Sequence, residues 1–248
     1  MEILEQILTK ENLNKAYKKV KANKGAPGVD GVSVDDVYQQ IVDNKNQILN
    51  QIRKRKYTPQ PVRRVQIPKE NGKMRNLGIP TVLDRIIQQA MVQVLSPIFE
   101  EQFSGTSYGF RPGRSCENAV VKALEYLNDG YEWIVDIDLE RFFDTVDQDR
   151  LINIIMRTIK DGDVVSLIRK YLSAGVMDKG VTKATEQGTP QGGNLSPLLS
   201  NIMLNELDKE LEARELRFVR YADDNIELLH KNEQIYLDNI TKILTSLC

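Results

Sequence analysis

Two strand-length apolar segments of this chain run into aspartate. IVDIDL (134–139) carries Asp136 and Asp138, and RFVRYADD (217–224) ends in Asp223 and Asp224 before continuing as NIELL. Alternate residues of a strand share a face, so Asp136 and Asp138 point the same way. The second segment predicts strand, two-residue turn and strand, with Asp223 and Asp224 as the turn, where Asn-Gly or Asp-Gly is the usual choice. A carboxylate ending an apolar strand is costly unless it is paired or bound to a cation. If the two strands are neighbours in one sheet, up to four carboxylates converge, and divalent cations relieve their repulsion best. Mg²⁺ suits a few carboxylates plus substrate phosphates, and a pair of such ions serves phosphoryl transfer. The plainer alternative is that aspartates at strand ends are turn residues or helix caps. That alternative is preferred for Asp144 and Asp147, the latter as an N-cap. Asp136 alone stays open between the two. A zinc site is not expected, because His230 is the single histidine and Cys116 and Cys248 form no ligand pattern.

The net charge of −1 hides an asymmetry. Residues 1–122 hold 20 Lys/Arg against 12 Asp/Glu, and residues 123–248 hold 14 against 23. A basic half beside an acidic half fits a polyanion-binding part next to a cation-binding part; solvated helix faces would give the same count. No apolar run approaches the roughly 20 residues that span a bilayer. The acid-bearing N-terminus lacks signal-peptide features, so a reducing cytoplasm is expected.

Helical spacing of Leu13, Ala16, Tyr17 and Val20 predicts a first helix stopped at Gly25. Ser33 with Asp36 resembles a capping box opening a helix that ends near Arg55. VRRVQIPKENGKMRNLGIP predicts a hairpin turning at Asn71-Gly72. Thr81 and Asp84 open a long helix, and Ser115 opens another that closes near Gly130. Further on, WIVDIDLERFF predicts a buried strand, two helices follow, GVTKATEQ predicts a short strand, and GTPQGGNLSP a loop before a long amphipathic helix. NEQIYLDNITKILTSL predicts a last helix. The expected class is α+β, with a small antiparallel sheet covered by helices on one face and a boundary near residue 130.

With those elements placed, the chain resembles the group II intron-encoded reverse transcriptases, the maturases. RYADD resembles the YxDD box of reverse transcriptases, and DIDLERFFDTV their first catalytic motif. GTPQGGNLSPLLSNIMLNELDKEL is similar almost letter for letter to a motif of the intron-encoded branch. IPKENGKMRNLGIPTVLDRIIQQA and YGFRPGRSCENAV match two further blocks, and GAPGVDGVS the N-terminal extension. Six blocks in order, from about residue 10 to 224, make the match specific.

The resemblance implies a right-hand polymerase: helical fingers with a β-hairpin over 1–130, and a palm over 131–248 with an atypical tail after about 225. It implies that Asp138, Asp223 and Asp224 hold two Mg²⁺ ions and carry out nucleotidyl transfer, assisted by the carbonyl of Leu139. Aligning FFD selects Asp138 rather than Asp136. Phe143 would lie under the sugar and exclude a ribose 2′-OH, with a core phenylalanine as the plainer alternative. Lys69 and Arg75 would fold over the triphosphate of a dNTP, Gln191 and Gly192 would approach the nucleotide, and Tyr221 would pack beside the primer end. Arg53, Lys54, Arg55, Lys56, Arg63, Arg64, Arg111 and Arg114 are candidates for template or intron RNA contacts, whose affinity would be salt-sensitive.

The resemblance fades after YADD, where the family strand is more apolar, and the chain stops before the thumb and intron-binding parts of the family. The implied function is RNA-directed DNA polymerase and intron maturase. The competing expectation is an RNA-binding splicing cofactor, or a degenerate copy without polymerase activity. Apolar surface left bare by an absent thumb would allow homodimers.

Overall fold

The structure is a computed structural model that describes residues 2–68, 72, 74–139, 142–185, 187–189 and 192–230, with Arg75 and Asp138 described by their backbone alone. Lys69, Gln191 and the expected last helix fall outside these residues. In chain order the elements are α1 (Ile3–Ile7), α2 (Lys10–Ala22), α3 (Val37–Arg53), β1 (Val62–Pro68), β2 (Met74–Ile79), α4 (Val82–Glu100), α5 (Cys116–Asn128), β3 (Trp133–Asp138), α6 (Phe142–Thr145), α7 (Gln148–Thr158), α8 (Gly162–Leu172), β4 (Val176–Asp178), β5 (Val181–Lys183), α9 (Ser196–Ala213), β6 (Arg217–Tyr221) and β7 (Asp224–Leu229).

α4 is the central helix. Thr81 caps it, its hydroxyl accepting from the Asp84 amide at 3.1 Å and donating to the Asp84 carboxylate at 2.7 Å. Asp84 is buried and also accepts from the Tyr57 hydroxyl at 2.7 Å and the Gln60 amide at 3.1 Å. Burial pushes its carboxyl up, and these donors oppose the rise. Ile86, Ile87, Ala90, Met91 and Leu95 are buried on α4, as their spacing predicts. The core around them unites buried residues from Leu4 to Phe99 with others from Phe142 to Leu204. No helix among the described residues is long and apolar enough to cross a membrane.

Other caps fit their sequence signals. Ser115 and Asn118 form a reciprocal capping box on α5, and Asp147 accepts from the Arg150 amide at 2.9 Å at the start of α7. Two expectations shift. α2 ends at Ala22, and Lys24 rather than Gly25 takes the positive φ, 46°. Ser33 does bond Asp36, but α3 begins only at Val37.

The hairpin β1–β2 is antiparallel with Pro68 opposite Met74 as its outermost described pair, and Asn71 of the expected turn lies outside the described residues. The hairpin is not isolated. β4 joins β1 in parallel through Val62–Val176 and Arg63–Met177, and β5 completes a sheet of order β2-β1-β4-β5. The predicted strand in GVTKATEQ is β5, the outer strand of this sheet.

The second sheet has order β3-β7-β6 and is antiparallel throughout. It is covered on both faces, not on one. Val219 and Leu228 pack with Ala119 of α5, while Phe218 packs with Leu207 and Leu211 of α9. Adjacent apolar residues in β6 and β7 supply both faces, the pattern of a strand buried on two sides. β3 is an edge strand rather than a buried one, and its Trp133 and Ile134 are 45% and 54% exposed. Thr81→Ala should cost about 2 kcal/mol in urea unfolding, since it removes a helix cap and one donor to a buried carboxylate.

Candidate active site

Strand register brings the two aspartate segments together. Asp138, the last residue of β3, pairs directly with Asp224, the first of β7, and Tyr221 pairs with Asp224 from the other side. The turn is therefore Ala222-Asp223, not Asp223-Asp224. Ala222 has φ 60° while Asp223 does not enter the positive region, so the strained position falls on alanine. Asp136 pairs with Ile226, on the same face as Asp138 and one step deeper.

Directly opposed residues of an antiparallel pair lie about 4.5–5.5 Å apart at Cα, where like charges repel. The register thus places Asp138, Asp224 and the adjoining Asp223 at one sheet end, and carboxylate oxygen is the donor type that suits Mg²⁺. The Leu139 carbonyl beside them accepts from the Phe142 amide at 3.2 Å and opens α6, which leaves a second lone pair. His230, expected at the surface, is exposed; its ring stacks on Tyr131 at 3.9 Å and bonds the Gly130 carbonyl.

Phe143 is buried, packed edge-on to Phe142 at 5.5 Å. Its carbonyl accepts from the Thr189 amide at 2.7 Å, and Gly188, with φ 81°, lies so close that a Cβ would sit 2.6 Å from that oxygen. Gly192 has φ 108°, and a Cβ there would lie 2.4 Å from the Gly78 carbonyl of β2. The bareness of Gly192 thus lets the loop meet the hairpin root. Asn194 donates to Gln89 at 3.0 Å and the Leu195 amide to Gln88 at 3.3 Å, which ties the loop to α4. An open cleft of about 250 Å³ lies between hairpin root, α6 and loop, lined by Arg64, Asn76, Phe143, Thr185 and Thr189 among others. The hydroxyls of Thr185 and Thr189 are buried and have no hydrogen-bond partner among the described residues.

The expected RNA-contacting cations divide. Arg111 is buried, paired with Glu100 at 2.7 Å and bonded to the carbonyls of Ser104 and Ser107. Arg114 caps the carbonyls of Gly105 and Ser107 and covers the Tyr108 ring at 5.2 Å. Both brace the loop before α5, so Arg111 is corrected from a surface cation to a buried brace. Arg53 is held by Glu5 at 2.8 Å, Arg55 by Asp163, and Arg63 by the Pro27 carbonyl at 2.8 Å. Lys54 and Lys56 are exposed, and Arg64 lies 3.9 Å from Asp178. Tyr221 is 38% exposed at the row of paired ends.

Two groups of buried polar residues near the site were not legible as such in the sequence. Arg220, Asp208 and Asn201 form a network beneath the turn. An arginine set amid RFVRY was its one visible signal. Asn225 and Glu227 occupy the face of β7 opposite Asp224, and their side-chain polar atoms are buried without hydrogen-bond partners among the described residues. Burial pushes the Glu227 carboxyl up to about 7.

A sheet end bearing three aspartates, flanked by a hairpin and a glycine-bearing loop on a helical core, defines a polymerase palm with its fingers. Residues 67–248 match the family model for reverse transcriptase (RNA-dependent DNA polymerase). The chain belongs to that family. It is 41% identical over 220 residues to protein YkfC of Escherichia coli K12, covering 86% of this chain and 58% of that one. It is 41% identical over 213 residues to the group II intron-encoded protein LtrA of Lactococcus lactis, covering 85% and 35%. The chain thus spans well under two thirds of the length of these curated relatives. The fold matches all of this chain, and 42% of its counterpart, in a partial Cas6-RT-Cas1–Cas2 complex at TM-score 0.61 and 24% identity.

A buried carboxylate raised from 4.5 to about 7 favours the folded state only while protonated. Its contribution is full below pH 4.5 and is lost as pH rises through about 7, a loss of up to about 3 kcal/mol. Glu227→Leu should remove that slope and raise stability by about 2 kcal/mol at pH 8, read by denaturant unfolding across pH.

Proposed function

We propose that this chain forms the fingers and palm of a group II intron reverse transcriptase, copying an RNA template from a primer by adding dNTPs. The direct pairing of Asp138 with Asp224, with Asp223 in the adjoining turn, carries this reading. In it, Asp138, Asp223 and Asp224 hold two Mg²⁺ ions, with the Leu139 carbonyl as a further oxygen. When bound, such ions stabilise charge on the phosphoryl oxygens and ease deprotonation of the attacking hydroxyl. The cleft beside Phe143 receives the nucleotide, and the ring of Phe143 limits room at the sugar 2′ position. Arg75 and Lys69 neutralise triphosphate charge from the hairpin, Gln191 and Gly192 border the base, and Tyr221 supports the primer end.

Intron RNA binding accompanies this activity, with Lys54, Lys56 and Arg64 the cations best placed to meet phosphates. The division into fingers before residue 130 and palm after it belongs to the same reading, as does work on intron RNA in the cytoplasm. The exposed row Val120, Val121 and Leu124 on α5 supports self-association.

A second reading, an RNA-binding splicing cofactor without polymerase activity, draws on one observation: Asn225 and Glu227 place buried polar groups that lack partners among the described residues in the strand that begins with Asp224. Primer extension on an RNA template with Mg²⁺ and dNTPs separates the two. Extension by the native chain, lost to background in Asp223→Ala/Asp224→Ala, is the expected result. Tight RNA binding with no extension by either protein would leave the splicing cofactor as the function.

A further inference from the structure

A buried cation lies just behind the turn. Arg220 is fully buried, two residues before Ala222. Its guanidinium grips Asp208 through two bonds, Nε to Oδ1 at 2.7 Å and Nη2 to Oδ2 at 2.6 Å. Nη1 donates to Asn201 Oδ1 at 3.0 Å and to the Ala222 carbonyl at 2.8 Å. That last acceptor is the carbonyl of the peptide that leads into Asp223, in a residue with φ 60°.

The turn is held from the other side as well. Asn201 donates through Nδ2 to the Gly109 carbonyl at 2.9 Å. Gly109 lies flat against the turn, where a Cβ would stand 2.1 Å from the Ala222 nitrogen. The Arg220 backbone bonds the same loop, donating to the Thr106 carbonyl at 3.0 Å and accepting from the Tyr108 amide at 2.8 Å. The strained turn therefore has a guanidinium on one flank and a glycine backbone on the other, and Asn201 joins the two.

Stability alone does not account for this arrangement. Both members of the ion pair are fully buried, and a buried pair is commonly matched or bettered by apolar residues of similar size. An apolar pair would fill the space between α9 and β6, but it would leave the Ala222 carbonyl unheld and the turn free to relax from positive φ. What the ion pair adds is direction, because the planar fork fixes where Nη1 points.

We propose that Arg220, oriented by Asp208 and Asn201, is a positioning residue that fixes the Ala222-Asp223 peptide and so aims the Asp223 carboxylate at the paired Asp138 and Asp224. The inference rests on the polymerase reading for its functional consequence, but its structural content is independent of it.

The test compares the full chain with Arg220→Met/Asp208→Leu, an apolar replacement of the pair, and with Arg220→Lys, which keeps charge and loses the fork. Amide hydrogen exchange is followed over 217–229, with 151–158 in α7 as the internal control. The expected result is faster exchange at Ala222, Asp223 and Asp224 in both variants, with the α7 amides unchanged. In primer extension, kcat should fall about 100-fold, the scale of a 1 Å misplacement. KM for dNTP should stay within about threefold, and the Mg²⁺ concentration for half-maximal rate should rise. Turn exchange at the native rate in the double variant overturns the proposal. So does native kcat with a native Mg²⁺ requirement. If the native chain extends no primer, the polymerase reading fails by itself, and the exchange comparison alone decides whether the clamp exists.

Discussion

Six consecutive residue pairs join β3 to β7 across nearly ninety residues of intervening chain, and the candidate site exists only in that register. A strand has a side-chain period of two. A slip of one residue would put Asp138 opposite Asn225 and turn the aspartate row toward α9. Apolar residues on both faces of the sheet resist such a slip, since Leu228 serves the α5 face and Phe218 of β6 the α9 face. Pairing of like charges at the strand ends opposes the register locally. The helices that cover the sheet stabilise it globally, and the cost is left where a cation would relieve it.

The loop between β5 and α9 shows the same division between support and chemistry. Gly188 and Gly192 each give up a side chain to a carbonyl, one in α6 and one in β2. Gln88 and Gln89 hold the following residues from a helix in the core. One loop thereby gathers the hairpin, the short helix bearing Phe143 and the central helix around one cleft. The glycine pattern in GTPQGGNLSP reflects packing among these parts as much as access for a nucleotide.

Much of this was legible in the sequence because its signals are local. Helix caps at Thr81, Ser115 and Asp147 announced their helices, and the spacing of Asp136 and Asp138 announced a strand with an acidic end. Family motifs placed the site residues in order. What stayed hidden depends on distant partners. The turn moved by one residue because Asp224 is drawn into β7, paired with Tyr221 on one side and with Asp138 on the other, whatever the local hairpin preference. β4 and its parallel pairing with β1 had no local signal, and neither did the second helical cover on the sheet. Arg111 reads as a surface cation until Glu100 and two carbonyls are brought around it. Arg220 reads as the polar member of an alternating strand until α9 supplies Asp208 and Asn201. Asn225 and Glu227 look solvent-facing by alternation, yet the strand holding them is the central one.

The parallel pairing of β1 with β4 has a mechanical meaning. With Val62 bonded to the Gly175 carbonyl at 3.0 Å and Gly78 seated against Gly192, the hairpin has an anchored foot. Swinging β1–β2 as a rigid piece would tear the β1–β4 seam and prise the loop from β2. A hairpin rooted in this way shares its foot with the cleft: Arg64, Asn76 and Gly78 are fixed in the same sheet and against the same loop that line it, so a substitution at the seam would disturb the wall of the cleft as much as the hairpin.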